Sequence, residues 1–431
     1  MYVYMHINTR CLHAGYEAKN GEPTNPPIVQ STTYKYESSE FMGALFDLKE
    51  DGFFYSRLAN PTVDMVEKKL ADLEGGVGAI LTSSGQSANM YAIINICKAG
   101  DHVISSSAIY GGTFNLFNKT LRDLGIDFTF ISPYASDEEI EAAFKENTKC
   151  VFGETLSNPS LDILDIERFA KIAHRHKVPL IVDNTFPTPV NCRPFEFGAD
   201  IVTHSTTKYL DGHAAVVGGA VVDSGRFDWS ASGLFPMLTE PDESYHGIIY
   251  VKQFGKAAYM AKMKAHIMRD IGSMMSPQSA FYLYLGLETL ALRMERHCEN
   301  AKKVAAFLEN ESKKPDGKIT WINYPDMPGN KNYELCKKYM PNGSCGVISF
   351  GIKGGREAAT KFMDSLKLAS ICTHVADAKT ILLHPASTTH RQLTDAELEA
   401  CGVGPDLIRF SVGIEYIDDI IDDLKEGLAK I

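Results

Sequence analysis

The chain has 431 residues, 44% of them hydrophobic, and carries 43 Lys and Arg against 54 Asp and Glu, a formal net charge of -11. That composition can bury a large core and predicts two or more domains, while an acidic balance without clustered Lys and Arg excludes a nucleic-acid surface. The longest apolar stretch, 214–222, is too short for a membrane span, the N-terminus lacks a secretory signal, and nine scattered cysteines without a C-x-x-C pair read as reduced thiols rather than metal ligands, so a soluble cytoplasmic protein is expected.

Residues 1–60, rich in Pro, Thr, Asn and Tyr and with little sustained periodicity, read as an extended arm with short helical pieces. Arms of this kind often reach a neighbouring subunit. Asn60 followed by Pro61 is a helix N-cap with proline at the first helical position, and Val63, Val66, Leu70 and Leu73 form one apolar stripe that ends at Gly75. From there short apolar runs at 78–82, 102–105, 128–132, 150–154, 179–183, 201–204 and 216–222 alternate with helical stretches, the pattern of a parallel, helix-covered sheet. A helical region at about 254–308 follows. A smaller α+β pattern then runs to the end, with candidate strands at 346–351, 380–384 and 407–413 and a closing amphipathic helix at 417–431. The expected division is an arm at 1–60, a large domain at 61–285 and a small domain at 286–431. No G-x-G-x-x-G follows a strand, and neither G-K followed by Ser or Thr nor H-E-x-x-H occurs, which weakens nucleotide and zinc-protease readings together.

Polar clusters fall at the carboxyl ends of these strands, where open α/β sheets bind their ligands. Thr82-Ser83-Ser84-Gly85-Gln86 leads from a strand into a helix, and its backbone N–H groups and helix dipole suit a phosphate, although an ordinary strand-to-helix turn reads the same way. Asp183 ends an apolar strand and either caps the next turn or lies beneath a heteroaromatic ring whose nitrogen it keeps protonated. Lys208, in His204-Ser205-Thr206-Thr207-Lys208, directly follows another apolar strand. Most lysines are solvated surface residues, but burial lowers a lysine's pKa as a Schiff-base nucleophile requires, and Ser205 and Thr207 suit a phosphate held beside it. His204 reads as packing rather than reacting. Asn158 before Pro159 is a turn former or an amide donor to a ring oxygen. Tyr110, before Gly111-Gly112, is a core residue or a ring stacked on a cofactor with a phenol available for proton transfer. Arg409 stands alone in an apolar strand and needs a carboxylate, internal or from a substrate. Together these residues point to pyridoxal 5'-phosphate (PLP) carried on Lys208.

The segments resemble the Cys/Met-metabolism family of PLP enzymes along essentially the whole chain. The residues that carry the resemblance are S-x-T-K at Ser205 to Lys208, D-N-T beginning at Asp183, and Y-S-R-L-x-N-P-T beginning at Tyr55. The resemblance implies an α/β protein of the PLP-dependent transferase fold (fold type I), with a mostly parallel seven-stranded sheet, an extended N-terminal arm and a smaller α+β C-terminal domain. It makes Lys208 the Schiff-base lysine, pairs Asp183 with the ring nitrogen, and stacks Tyr110 on the ring. Gly85, Gln86, Ser205 and Thr207 would hold the phosphate, and Tyr55 and Arg57 would reach the phosphate of a neighbouring subunit. Asn158 and Arg409 would bind the substrate carboxylate, Asn158 also lying near the ring oxygen.

Within the family, the segments 235–247, 287–290 and 293–300 resemble the sulfhydrylase branch, and Gly112 stands where methionine γ-lyases usually carry a cysteine. The implied reaction is γ-replacement: O-acetyl-L-homoserine plus sulfide, or methanethiol, gives L-homocysteine, or methionine, plus acetate. The implied assembly is a homotetramer built from dimers with shared active sites. Rival readings are a methionine or cystathionine γ-lyase, an O-succinylhomoserine sulfhydrylase or cystathionine γ-synthase, and a non-catalytic binding protein on the same scaffold. One departure stands out: His374 and Ala376 occupy positions where sulfhydrylases commonly show Asn and Gly.

Overall fold

Alternate residues of the short apolar strands face opposite sides of one sheet, and both sides are covered. Ile80, Ile181, Ile201 and Val221 enter one apolar cluster, while their neighbours Leu81, Val182, Val202 and Val222 enter the other. A sheet buried on both faces needs helices on both, as the near-continuous apolar runs predict. The computed structural model describes residues 4–388, 391 and 403–431, so Cys401 lies outside the described residues. The other eight cysteines are free thiols, all buried except the half-buried Cys372.

The large sheet comprises β1 (Gly78–Thr82), β2 (His102–Ser106), β3 (Asp127–Ile131), β4 (Thr148–Glu154), β5 (Leu180–Asp183), β6 (Ile201–His204) and β7 (Gly219–Asp223), in the order β1-β7-β6-β5-β4-β2-β3. From β3 to β6 the neighbours are parallel. β7 begins three residues later than the apolar run predicted and pairs antiparallel with both β6 and β1. The reason is local. Residues 205–218 return from β6 to β7 without a helix, and a parallel neighbour requires a crossover that this segment does not form. That irregular return carries Lys208.

The helix Pro61–Glu74 begins at Asn60, whose side chain accepts from Thr62 and Val63 N–H groups, and stops at Gly75, held at φ 82°. Asn60 also ties down the arm: its amide donates to the Val29 carbonyl at 2.9 Å and to Ser56 Oγ at 3.0 Å. The arm contains two short helices, Ile7–His13 and Ser39–Phe46, joined by irregular chain. The helical region expected at 254–308 is interrupted, with its long pieces at Pro277–Glu288 and Leu290–Ser312.

A second sheet, β8 (Ile319–Asn323), β9 (Val347–Ile352), β10 (Ser370–Ile371), β11 (Ile381–Leu383) and β12 (Leu407–Ser411), runs in the order β10-β11-β12-β9-β8. The helix Ile417–Leu428 buries Ile420, Leu424 and Leu428 in the same core as β9 and β12. The helix Leu290–Ser312 belongs to both cores. Leu290, Ala291 and Met294 pack with the large sheet, and Ala301, Val304, Ala305 and Leu308 with the small one. Among the described residues, no helix is long and apolar enough to cross a membrane.

Candidate active site

The carboxyl ends of β4, β5 and β6 deliver Glu154, Asp183 and the 205–208 turn to one side of the large sheet, and the turn after β1 adds Ser84 to Gln86. A cavity of ≈ 210 Å³ opens there, lined by Gly85, Gln86, Tyr110, Asn158, Asp183, Ser205, Thr207, Lys208 and Arg409 among others. Nine of the residues singled out in the sequence therefore meet in one place. Tyr55 and Arg57 do not line it: Tyr55 is exposed on the arm, and the Arg57 guanidinium lies 5.1 Å from its ring centroid.

One end of the cavity is built for an anion. The helix Gly85–Ile94 is capped by Ser84, whose side chain accepts from the Ser87 N–H, and the N–H groups of Gly85 and Gln86 fall in the first turn, where a helix offers no internal acceptor. Glycine is required at 85 by proximity, since a Cβ there would stand 2.6 Å from Ser205 Cβ. The same close approach brings the Ser205 side chain to the helix start. Thr207 Oγ1 is braced by Gly218, donating to its carbonyl at 3.1 Å and accepting from its N–H at 3.0 Å.

Lys208 is set by the tight turn after β6, where Gly212 N–H bonds the Lys208 carbonyl at 2.8 Å. Burial, reinforced by the nearby Arg409 charge, lowers its amine to about 8. Asp183 lies across the cavity, accepting from the Asn89 amide at 3.2 Å and from the Thr185 N–H at 3.0 Å and hydroxyl. Burial raises its pKa above the usual carboxylate value, with the Thr185 hydroxyl partly opposing. A basic ring nitrogen above such a carboxyl supplies the partner that burial otherwise denies it. A phosphate cradle, an amine of lowered pKa and a buried carboxyl around one volume fit PLP.

Arg409, on β12, reaches the cavity from the small domain. Its guanidinium donates to Thr373 and His374 carbonyls at 3.2 and 3.0 Å and to Asn158 Oδ1 at 3.4 Å. It forms no ion pair among the described residues, and burial lowers it to about 10. Among the described residues, the internal carboxylate that would make it a structural residue is not there. Tyr110 is half-exposed at the rim, with its backbone N–H donating to Glu154 Oε1 at 2.6 Å. A Cβ on Gly112 would stand 2.5 Å from the Tyr110 ring, so the glycine leaves that ring its place.

His204 is fully buried against Glu74, Nε2 to Oε1 2.6 Å, which makes it a packing residue as expected. Sequence reasoning missed Asn89, which bridges Asp183 and Thr203, accepting from the latter's hydroxyl at 2.6 Å. Its signal was present: four residues beyond Gly85, it lies on the same helix face. Glu154, in the strand-end cluster that also holds Asn158 but given no role from sequence, lines the cavity as well; burial, and then Asp183 nearby, raise its pKa well above the usual range.

Residues 8–429 match the family model of Cys/Met metabolism PLP-dependent enzymes. The chain is 45% identical to an O-acetyl-L-homoserine sulfhydrylase of Leptospira meyeri, over 98% of this chain and 96% of that protein. It is 46% identical to a homocysteine synthase of Schizosaccharomyces pombe, over 98% of each. Among solved structures, a candidate O-acetylhomoserine (thiol)-lyase from Campylobacter jejuni, which carries a pyridoxyl-lysine phosphate, superposes with a TM-score of 0.93 at 37% identity, covering 99% of this chain and 100% of that one.

Proposed function

Because the chain belongs to the Cys/Met metabolism PLP-dependent enzyme family, we propose that it catalyses γ-replacement on O-acetyl-L-homoserine, with sulfide or methanethiol giving L-homocysteine or methionine and acetate. The observation that carries the reading is a buried arginine, without a carboxylate partner among the described residues, facing the same cavity as a lysine of lowered pKa. An α-amino acid presents a carboxylate to the first and an amine near the second.

PLP supplies an electron sink that eases loss of the protons next to the amino group. Gly85 and Gln86 N–H groups, with the Ser205 and Thr207 hydroxyls, would hold its phosphate. Asp183 would keep its ring nitrogen protonated, Asn158 would donate near the ring oxygen, and Tyr110 would cover the ring face. Lys208 Nζ would be its attachment point and, once free, would move protons at the substrate's Cα and Cβ as acetate leaves Cγ and the thiol adds there. Tyr110 contributes to proton transfer with its phenol. Arg409 and Asn158 hold the substrate carboxylate throughout. Tyr55 and Arg57 would act on the phosphate of the neighbouring subunit's site, which would make the working unit at least a dimer and, in this reading, a cytoplasmic homotetramer.

The test is a steady-state assay of O-acetyl- against O-succinylhomoserine, each with sulfide, following homocysteine. Homocysteine formed preferentially from the acetyl ester is expected. Keto acid released as fast without a thiol as homocysteine is formed with one would overturn the reading in favour of a γ-lyase.

A further inference from the structure

Residues 373–376 touch both working side chains of the cavity. Their Thr373 and His374 carbonyls hold the Arg409 guanidinium, and the His374 ring turns back to set Nδ1 3.3 Å from Lys208 Nζ. The orientation is fixed from behind: the His374 N–H donates to Cys372 Sγ at 3.4 Å, and Ala376, at φ 66°, donates its N–H to Ser411 Oγ at 2.8 Å. Among the described residues, the other ring nitrogen, Nε2, is buried without a hydrogen-bond partner, 4.0 Å from Asp377 Oδ2. The contact with Lys208 is thus the one hydrogen bond the ring makes among the described residues.

We propose that His374 is a positioning residue for Lys208: its neutral ring, protonated on Nε2 toward Asp377, accepts at Nδ1 from the Lys208 amine whenever that amine is free of the cofactor. The lysine is thereby kept where it takes and returns substrate protons and later reattaches. This rests on the reading of Lys208 as the PLP lysine. Burial and then the Lys208 charge disfavour protonation of the ring, Arg409 adds to them, and Asp377 and Asp211 oppose, so the ring stays neutral below the ordinary histidine range. Protonation removes the acceptor and sets cation against cation, so the contact exists above the His374 pKa and is lost below it.

The decisive measurement is a histidine-ring NMR titration of the cofactor-free protein, with His374 assigned by its loss in His374→Asn. Its midpoint should lie below about 6.5, and Lys208→Ala should raise it by removing the facing amine. On adding PLP at mildly alkaline pH, His374→Ala should form the visible lysine-linked band about three- to tenfold more slowly, the worth of one hydrogen bond, whereas His374→Asn, which keeps an acceptor, should stay within about twofold. In the loaded enzyme, an acid limb of kcat that follows His374 should vanish in His374→Asn. A His374 midpoint indifferent to Lys208→Ala, or wild-type loading in His374→Ala, overturns the proposal. A band that survives Lys208→Ala instead overturns the cofactor assignment, and the titration still decides the contact.

Discussion

A lysine attacks a carbonyl only as the free amine, so, with Lys208 as the proposed attachment point, its free-base fraction should govern how fast the protein takes up its cofactor. Its pKa is lowered from 10.5 to about 8, first by burial and then by Arg409, so the amine is protonated below that value and free above it. Loading of the cofactor-free protein should therefore rise with pH and level off near 8 rather than near 10.5. Visible absorbance follows the loading. Borohydride should fix the cofactor in the wild type and leave none covalently bound in Lys208→Ala; retention there would place the attachment on another lysine. Arg409→Lys keeps the charge but loses the planar fork that suits a carboxylate. It should cost about 1.5–3 kcal/mol, or about one to two decades in kcat/KM, with the cofactor spectrum unchanged. If the variant unfolds while the enzyme that remains folded keeps normal substrate constants, Arg409 is a structural residue. Lys208, Asp183 and Arg409 are legible in the sequence because each is a charge set against an apolar strand. Asn89 is marked only by its place one turn beyond Gly85, and its partners Asp183 and Thr203, like the His374 contact, come into view only when a second segment arrives beside it. At Ala376 the backbone explains the glycine of the sulfhydrylases: φ is 66°, the left-handed region that glycine enters most easily.

Among the elements, the junction at Asn60 does two things, starting the helix Pro61–Glu74 and pinning the arm through Val29 and Ser56. Thr62 extends the joint, donating from its hydroxyl to the Pro27 carbonyl at 2.8 Å. Asn60→Ala should lower stability by about 1–2 kcal/mol through the lost cap, measured as a shift of the urea midpoint at fixed protein concentration. It should also make the arm more open to limited proteolysis; an unchanged midpoint would mean the arm is held elsewhere. The strands of the large sheet are readable because each is a short apolar run between turns. The direction of β7 is not, because alternation along a strand carries no information about its neighbours' polarity. β8 escapes the same reading: Ile319 is buried but Thr320 is exposed and the next three residues are half-buried, so no apolar run marks it.

Assembly makes its own demand on the whole molecule. Tyr55 and Arg57 lie on the arm, outside their own chain's cavity, while Lys208 lies inside it. If each site combines both, mixing inactive Arg57→Ala with inactive Lys208→Ala subunits should restore activity toward about a quarter of the sites, as expected for random pairing across a two-fold interface. No recovery despite demonstrated subunit exchange would count against shared sites. The helix Leu290–Ser312, rooted in both cores, bears on traffic through those sites. Hinge closure requires a few residues that absorb the rotation between two bodies, and a continuous helix built into both bodies provides none along its length. Access to the cavity should then depend on its rim, where Thr373, Val375 and Tyr110 stand, rather than on a swing of one core against the other.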